Sequence, residues 1–429
     1  MSRILILSCL LFLAASLWAQ EKQEKDIPKE QQPVEERKTG DSFIETLGGL
    51  PGKLVTLPLK IVFTGLSKVA SVVDYNALAL RVTDALTNED GTRKVRPIFT
   101  PVSGGGLIFI QDNFLREEMR LRATGSFGAR TRVNFYGGLR DTKLFSPKLG
   151  LQVEGFYKRV PDEDFFGIGI NSQKATETNY LHQETNFEIE LISQPFPRTL
   201  LAAGFSYSDV NIKDGRDPNK PSLLDSAAVF FDNPVPGLLG AEMGTLLVRM
   251  YRDTRNGTGN PTRGGEAYFS YEYAREIRGS DLGYSKFTLD LRRYFELFYQ
   301  RVLALRVRAE ITDNIGAREI PFYRLGGLGG IEVLRGYRAS RFRDKDLLLA
   351  GIEYRFPIHP AVDAEAFFEE ARVYSDIFDQ FSLKNFKYSY GGGLRIKSRD
   401  GNLVAVIEIA RSSEQLRFYF SLNKGLRKF

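Results

Sequence analysis

The stretch Arg301-Val302-Leu303-Ala304-Leu305-Arg306-Val307-Arg308-Ala309-Glu310-Ile311 decides the fold. Leu303, Leu305, Val307, Ala309 and Ile311 fall on one side of an extended chain, and Ala304, Arg306, Arg308 and Glu310 on the other. Successive side chains of a strand point to opposite faces, so this is the signature of a sheet with one apolar and one charged face. The pattern recurs. Leu416, Phe418, Phe420 and Leu422 oppose Gln415, Arg417, Tyr419 and Asn423, and Phe287, Leu289 and Leu291 oppose Thr288, Asp290 and Arg292. Leu348, Ala350, Ile352, Tyr354 and Phe356 oppose Leu349, Gly351, Glu353 and Arg355, where Leu349 alone breaks the polar side.

Such alternation suits a soluble sandwich, which buries its apolar face, or a membrane barrel, which turns that face to lipid. Segments of about ten residues match a tilted strand crossing a bilayer, and many carry two or more charges on the polar side. Closure also satisfies every backbone group in lipid, which an open sheet cannot do. The expected fold is therefore all-β, a transmembrane antiparallel barrel of about sixteen strands, an even number as bacterial barrels require. The segments run from 104–112 to 415–424, with 164–171 among them, 300–312 as the eleventh and 346–356 as the twelfth.

Composition agrees. Aromatics make up 12% of the chain, with 32 Phe and 19 Tyr against one Trp, and Gly is common at 40 residues. These are residues of strands, turns and interface girdles. Beyond the N-terminal signal there is no run long and apolar enough for a transmembrane helix. The net charge of +6 is mild, and scattered solvated charge accounts for it as well as contact with anionic lipid or lipopolysaccharide does. Two His speak against a His-based metal site; no cofactor, metal or nucleic-acid partner is expected.

The ends organise as follows. Arg3, the apolar run Ile4–Leu13 and the small residues up to Ala19 read as a signal peptide over 1–19. A lipoprotein anchor at Cys9 is the rival, disfavoured because Cys9 sits inside the apolar run. Residues 20–40 are almost entirely Glu, Lys, Gln, Pro and Arg and read as a disordered periplasmic leader. In 41–97, Leu59, Val62, Phe63, Leu66, Val69 and Val73 fall at helical spacing against Lys60, Thr64, Ser67, Ser71 and Asp74. This short amphipathic helix either lies at the membrane surface or barrel mouth, or packs on protein. The barrel is expected over 98–429. Residues 211–243 read as a surface loop available to a partner.

Between the eleventh and twelfth segments lies Phe322-Tyr-Arg-Leu-Gly-Gly-Leu-Gly-Gly-Ile-Glu-Val-Leu-Arg335-Gly336-Tyr337. Gly351-Ile-Glu353-Tyr-Arg-Phe-Pro357 and Ala366-Phe-Phe-Glu369-Glu-Ala-Arg-Val-Tyr374 follow it. Earlier come Asp253-Thr-Arg255 with Pro261 and Gly264, and the chain closes on Phe418, Phe420 and Phe429. Together these resemble the BamA/TamA-like superfamily of outer-membrane assembly and translocation factors, the bacterial surface antigen family. The match covers about residues 240 to 429 by motif and 98 to 240 by strand pattern. The departures are Glu369 and Ala371, where the family favours Asp and Gly, and the lack of a recognisable POTRA module or Gly-x-Ser-x-Gly lipase motif, so that the chain looks like a POTRA-less branch.

The resemblance implies an inward-folded lumen loop tipped by Arg335, Gly336 and Tyr337. By parity Glu353 and Glu369 point into the lumen and are expected to hold Arg335, whose planar fork one carboxylate can grip bidentately. The alternative is three ordinary lumen charges. Asp253, Arg255, Pro261 and Gly264 would form a periplasmic turn, and Phe418, Phe420 and Phe429 a C-terminal assembly signal. A weakly zipped seam between first and last strands is implied, with Gly104, Gly105 and Gly106 expected in the first strand, where Gly weakens pairing. The function implied is insertion or translocation of proteins, or of lipids, at the bacterial outer membrane, without catalysis. The partners implied are outer-membrane lipids and lipopolysaccharide, unfolded outer-membrane or secreted clients, and an accessory periplasmic protein or a homodimer. Competing readings are a passive anion-preferring pore and a structural, complex-forming barrel. A lipase or acyltransferase needs a nucleophile beside a His base, and neither His182 nor His359 stands in such a pattern.

Overall fold

A computed structural model describes residues 88–422, apart from 89, 101–103, 147, 232, 258 and 398–402. The expected signal peptide, leader and amphipathic helix, and Phe429, lie outside the described residues. Eleven strands come first: β1 (Arg93–Thr100), β2 (Gly104–Asp112), β3 (Met119–Gly128), β4 (Arg132–Ser146), β5 (Leu149–Phe165) and β6 (Thr178–Phe196). They continue with β7 (Thr199–Asp214), β8 (Gly240–Asp253), β9 (Gly264–Glu276), β10 (Gly283–Glu296) and β11 (Val302–Asn314). Two three-residue strands, β12 (Gly326–Leu328) and β13 (Phe342–Asp344), pair only with each other. Five more complete the wall: β14 (Asp346–His359), β15 (Val362–Tyr374), β16 (Lys387–Lys397), β17 (Leu403–Arg411) and β18 (Leu416–Leu422). Sixteen of the eighteen form a closed antiparallel barrel in which β18 returns to β1.

The expected strand number holds, but through two errors that cancel. The segment 164–171 is not a strand of the wall: β5 runs to Phe165 and the chain then loops to Thr178. The first strand is instead Arg93–Thr100, so the barrel starts ahead of residue 98 and the tail of the expected helical segment is strand. Pro97 hid it. Proline cannot donate to a ladder and marks a break in a strand pattern. The glycines Gly104 to Gly106 consequently sit in β2, opposite Thr100, Phe99 and Ile98. Gly104 and Gly106 serve close backbone approach: a Cβ on Gly104, whose φ is +76°, would lie 2.2 Å from the Phe127 carbonyl oxygen, and one on Gly106 2.1 Å from that of Gly125.

The strand parity sorts the side chains as the alternation requires. Ile189, Phe205, Leu246 and Tyr273 face one another in register across β6 to β9 and look outward, forming part of an apolar band. Their neighbours Glu188, Glu190 and Arg249 point into the lumen. Hairpin ends at one rim are short (113–118, 197–198, 360–361), whereas those at the other include 166–177, 215–239, 315–345 and 375–386. In bacterial barrels the short turns face the periplasm.

Residues 211–243 are not a free surface loop. β7 continues through Asp214 and β8 begins at Gly240. Between them helix α1 (Leu223–Phe230) buries Leu223 and Ala227 against Phe165, Tyr180, Met243, Ile320 and Phe322. Phe322 meets the rings of Phe165 and Tyr180 at 5.1 Å each, so an aromatic cluster caps this end of the barrel.

Candidate functional site

The loop 315–345 turns back into the barrel, and backbone geometry makes this possible. The β12–β13 hairpin carries it in, and Gly329, at φ +120°, lies so close to Arg338 that a Cβ would stand 1.9 Å from its carbonyl oxygen. Only glycine fits there. Leu328, Leu334, Tyr337 and Phe342 then pack on Leu347, Leu349, Ala371 and Val373 of the wall. This explains Leu349, the apolar residue on the polar side of 348–356: with Leu347 it meets the loop and not water.

At the tip Arg335 is 7% exposed. Its Nε donates to Glu369 Oε1 at 2.9 Å and its backbone N–H donates to Oε2 at 3.0 Å. Nη2 stands 2.8 Å from the same Oε1. Nη1 donates to Glu408 Oε1 at 2.6 Å. The guanidinium carbon also sits 3.4 Å from the centre of the Phe367 ring. Glu353 is more distant, 3.6 Å from Nη1, and its Oε1 accepts from Arg355 Nε at 2.6 Å. The structure thus brings Arg335 together with Glu369 directly, with Glu353 at the margin, and adds Glu408 of β17. Sequence reasoning missed Glu408, although Ile407-Glu408-Ile409 is one inward charge between two outward isoleucines.

The tip is held along its backbone too. Tyr419 Oη donates to the Arg335 carbonyl at 2.5 Å, Ser389 Oγ accepts from the Gly336 N–H at 2.8 Å, and Ser412 Oγ donates to the Gly336 carbonyl at 2.8 Å. Gly336 is required by proximity: a Cβ would lie 2.7 Å from Ser412 Cβ and 2.9 Å from the Arg411 carbonyl. Tyr337 Oη reaches Ser413 Oγ at 2.9 Å.

The Asp253–Gly264 turn joins β8 to β9 at the rim with the short turns. Arg255 is gripped by Asp253 (Nη2 to Oδ2, 2.7 Å) and by Glu266 at 2.9 Å. Burial disfavours the charge on Arg255, but Asp253 and Glu266 outweigh it and raise the pKa above the ordinary arginine value. Gly264, at φ +86°, passes 2.2 Å from the Thr254 carbonyl when given a Cβ. The turn reaches along the mouth to β14, β15 and β16. Arg355 Nη1 donates to the Pro261 carbonyl at 3.2 Å, and Asn260 Nδ2 donates to Asp363 Oδ2 at 3.1 Å. Arg395 Nη2 donates to Asn260 Oδ1 at 3.3 Å. A chain of polar contacts therefore runs from the turn through Arg355 and Glu353 to Arg335, with loop above and turn below. Between them remains a cavity of about 150 Å³ bordered by Arg335, Glu353, Arg355 and Pro261.

Phe418 and Phe420 are outward on β18, with Phe418 72% exposed. His182 lies in the lumen between Glu163 (3.4 Å) and Glu184 (3.3 Å) and packs on Tyr180 and Tyr323. His359 ends β14, where its Nδ1 accepts from the Ala361 N–H. Glu154, Glu188 and Glu190 come within 4.8 Å of one another. Arg249 donates to both Glu188 and Glu190, so a guanidinium already stands where a cation would.

Comparison with known proteins places this architecture. The description of the Omp85 superfamily domain matches residues 113–425. The fold is similar to that of BamA from Haemophilus ducreyi lacking POTRA domains 1-3, at 18% identity and a TM-score of 0.55 over 77% of this chain and 70% of that one. It is also similar to CdiB from Escherichia coli, at 11% identity and a TM-score of 0.52 over 76% of this chain and 62% of that one.

Proposed function

Because the chain belongs to the Omp85 superfamily and is an outer-membrane barrel, we propose that it assists the insertion or translocation of unfolded proteins through a seam between β1 and β18. The observation that carries this reading is the closure of the barrel on its own first and last strands: β18 returns to β1, with Phe99 opposite Leu422. Opening the seam would expose unpaired edges, and such edges template an incoming strand.

In this reading Arg335, Gly336 and Tyr337 anchor the loop to the half of the wall that stays fixed, with Glu369 and Glu353 as pinning carboxylates beside Glu408. The turn of Asp253, Arg255, Pro261 and Gly264 braces the same half from the periplasmic side. Phe418 and Phe420 present the outer face of the last strand to the machinery that folds the barrel itself. A steady open pore is the weaker reading, since the loop and the turn enter the lumen from both ends. The test is a cysteine pair at Phe99 and Leu422, in a chain whose native cysteine is Cys9 alone. The protein folded into liposomes should speed insertion of an unfolded barrel client, and oxidation of the pair should abolish this reversibly. Equal rates with the pair oxidised and reduced would reject the seam.

A further inference from the structure

The cations of the lumen are not treated alike. On β10 to β16, Arg306 has Asp290 (2.7 Å), Arg308 has Glu310 (2.7 Å) and Arg395 has Glu365 (2.9 Å). On the seam side the pattern breaks. Lys94 (β1) and Arg120 (β3) share one carboxylate, Asp112. Arg96, Arg122 and Arg140, on β1, β3 and β4, have no carboxylate within ion-pair distance among the described residues. Arg122 lies over the Tyr136 ring at 5.7 Å, and the Nε atoms of Arg122 and Arg140, like those of the ion-paired Arg249 and Arg395, are buried without a hydrogen-bond partner. All three are half-buried.

Register places them together. Arg140 faces Arg120, and Arg122 faces Gly138 one position along. Arg96 faces Ile108, which faces Thr124, next but one to Arg122 on β3. With strands about 4.8 Å apart, β1 and β3 are about 10 Å apart, within reach of two arginine side chains converging on one group. All three lie in the half of the wall nearer the short turns. Apolar side chains intrude on the same wet face: Ile98 from β1 and Ile110 from β2 point inward and are half-buried, and Ile108 between them is buried.

We propose that this stripe is a binding site for the phosphate-bearing headgroup of an anionic phospholipid, with Arg122 and Arg140 as its principal ligands and Arg96 at its seam edge. Guanidinium forks match phosphate oxygens bidentately, and a desolvated fork without an anion is costly. Ile98 and Ile110 give the acyl chains an apolar surface beside the arginines, inside the closed wall. An acidic peptide or free phosphate would satisfy the arginines but leave that surface unused. The site needs only the closed barrel, so it stands or falls separately from the assembly role.

The test is native mass spectrometry of the folded full chain released from nonionic detergent. The probes are palmitoyl-oleoyl-phosphatidylglycerol and the phosphatidylcholine with the same chains. One phosphatidylglycerol should be retained in preference to phosphatidylcholine. Arg122→Gln with Arg140→Gln should weaken that retention about tenfold or more, and the double Lys variant, which keeps charge without the fork, should fall between. Equal retention of both lipids, or retention indifferent to both variants, overturns the proposal. Displacement by millimolar inorganic phosphate assigns the site to free phosphate, and retention of a hexaglutamate peptide in place of lipid assigns it to acidic polypeptide. Either outcome overturns the lipid assignment. The oxidised Phe99–Leu422 pair should leave retention unchanged even if client insertion proves absent.

Discussion

The wall formed by β14 to β17 and the wall formed by β1 to β4 are built from the same alternating sequence, yet they are finished differently. On the first, inward charges close on each other and on a loop: Arg335 with Glu369 and Glu408, Arg395 with Glu365, Lys397 with Asp363. On the second, Arg96, Arg122 and Arg140 face the lumen with no carboxylate within ion-pair distance among the described residues, and Lys94 and Arg120 share Asp112. The difference teaches where this barrel is rigid by design of its charges. A buried ion pair adds little net stability but costs heavily when broken, so the first wall is committed to one arrangement and the second is not.

That contrast orders the expected effects of substitution. Arg335→Ala strands Glu369 and Glu408 in a buried site and should cost about 3–5 kcal/mol in urea unfolding of the folded barrel. Arg335→Lys keeps the charge but cannot make both bonds, and should recover part of that loss; a Lys variant equal to the native chain in heat stability and insertion would remove the pinning role. Gly336→Ala forces a Cβ against Ser412 and Arg411 and should cost about 1–3 kcal/mol, as overpacking does, read by the same unfolding curve. Asn260→Ala removes the contacts to Asp363 and Arg395 and should cost about 1 kcal/mol, with single-channel current across planar bilayers rising as the mouth loosens. Arg96→Gln, on the unpaired wall, should stay within about 0.5 kcal/mol of the native chain. A loss there as large as that at Arg335 would erase the distinction between the two walls.

Much of this was legible in the sequence because period-two alternation needs no knowledge of partners. The eleventh and twelfth strands, the loop between them, and the inward direction of Glu353 and Glu369 followed from counting residues. What parity cannot supply is which inward groups meet. Glu408 is 73 residues from Arg335 in sequence, and nothing local marks it as the partner in place of Glu353, which Arg355 claims. Leu349 looked like a flaw in its strand until the loop was seen to cover it. The first strand was hidden by Pro97, whose missing N–H reads as a break in a strand pattern. Residues 164–171 misled in the opposite sense: Phe165 is apolar because it packs in the cap with Phe322 and Phe231, not because it faces lipid.

The central claim, a barrel tied firmly around Arg335 and loosely at the seam, is most directly tested by amide hydrogen exchange on the folded chain in lipid nanodiscs. The account predicts that amides of β1 and β18 exchange faster than those of β15 to β17, because an opening seam frees the amides between those two strands. Uniform protection around the whole wall, with β1 as slow as β16, would contradict it.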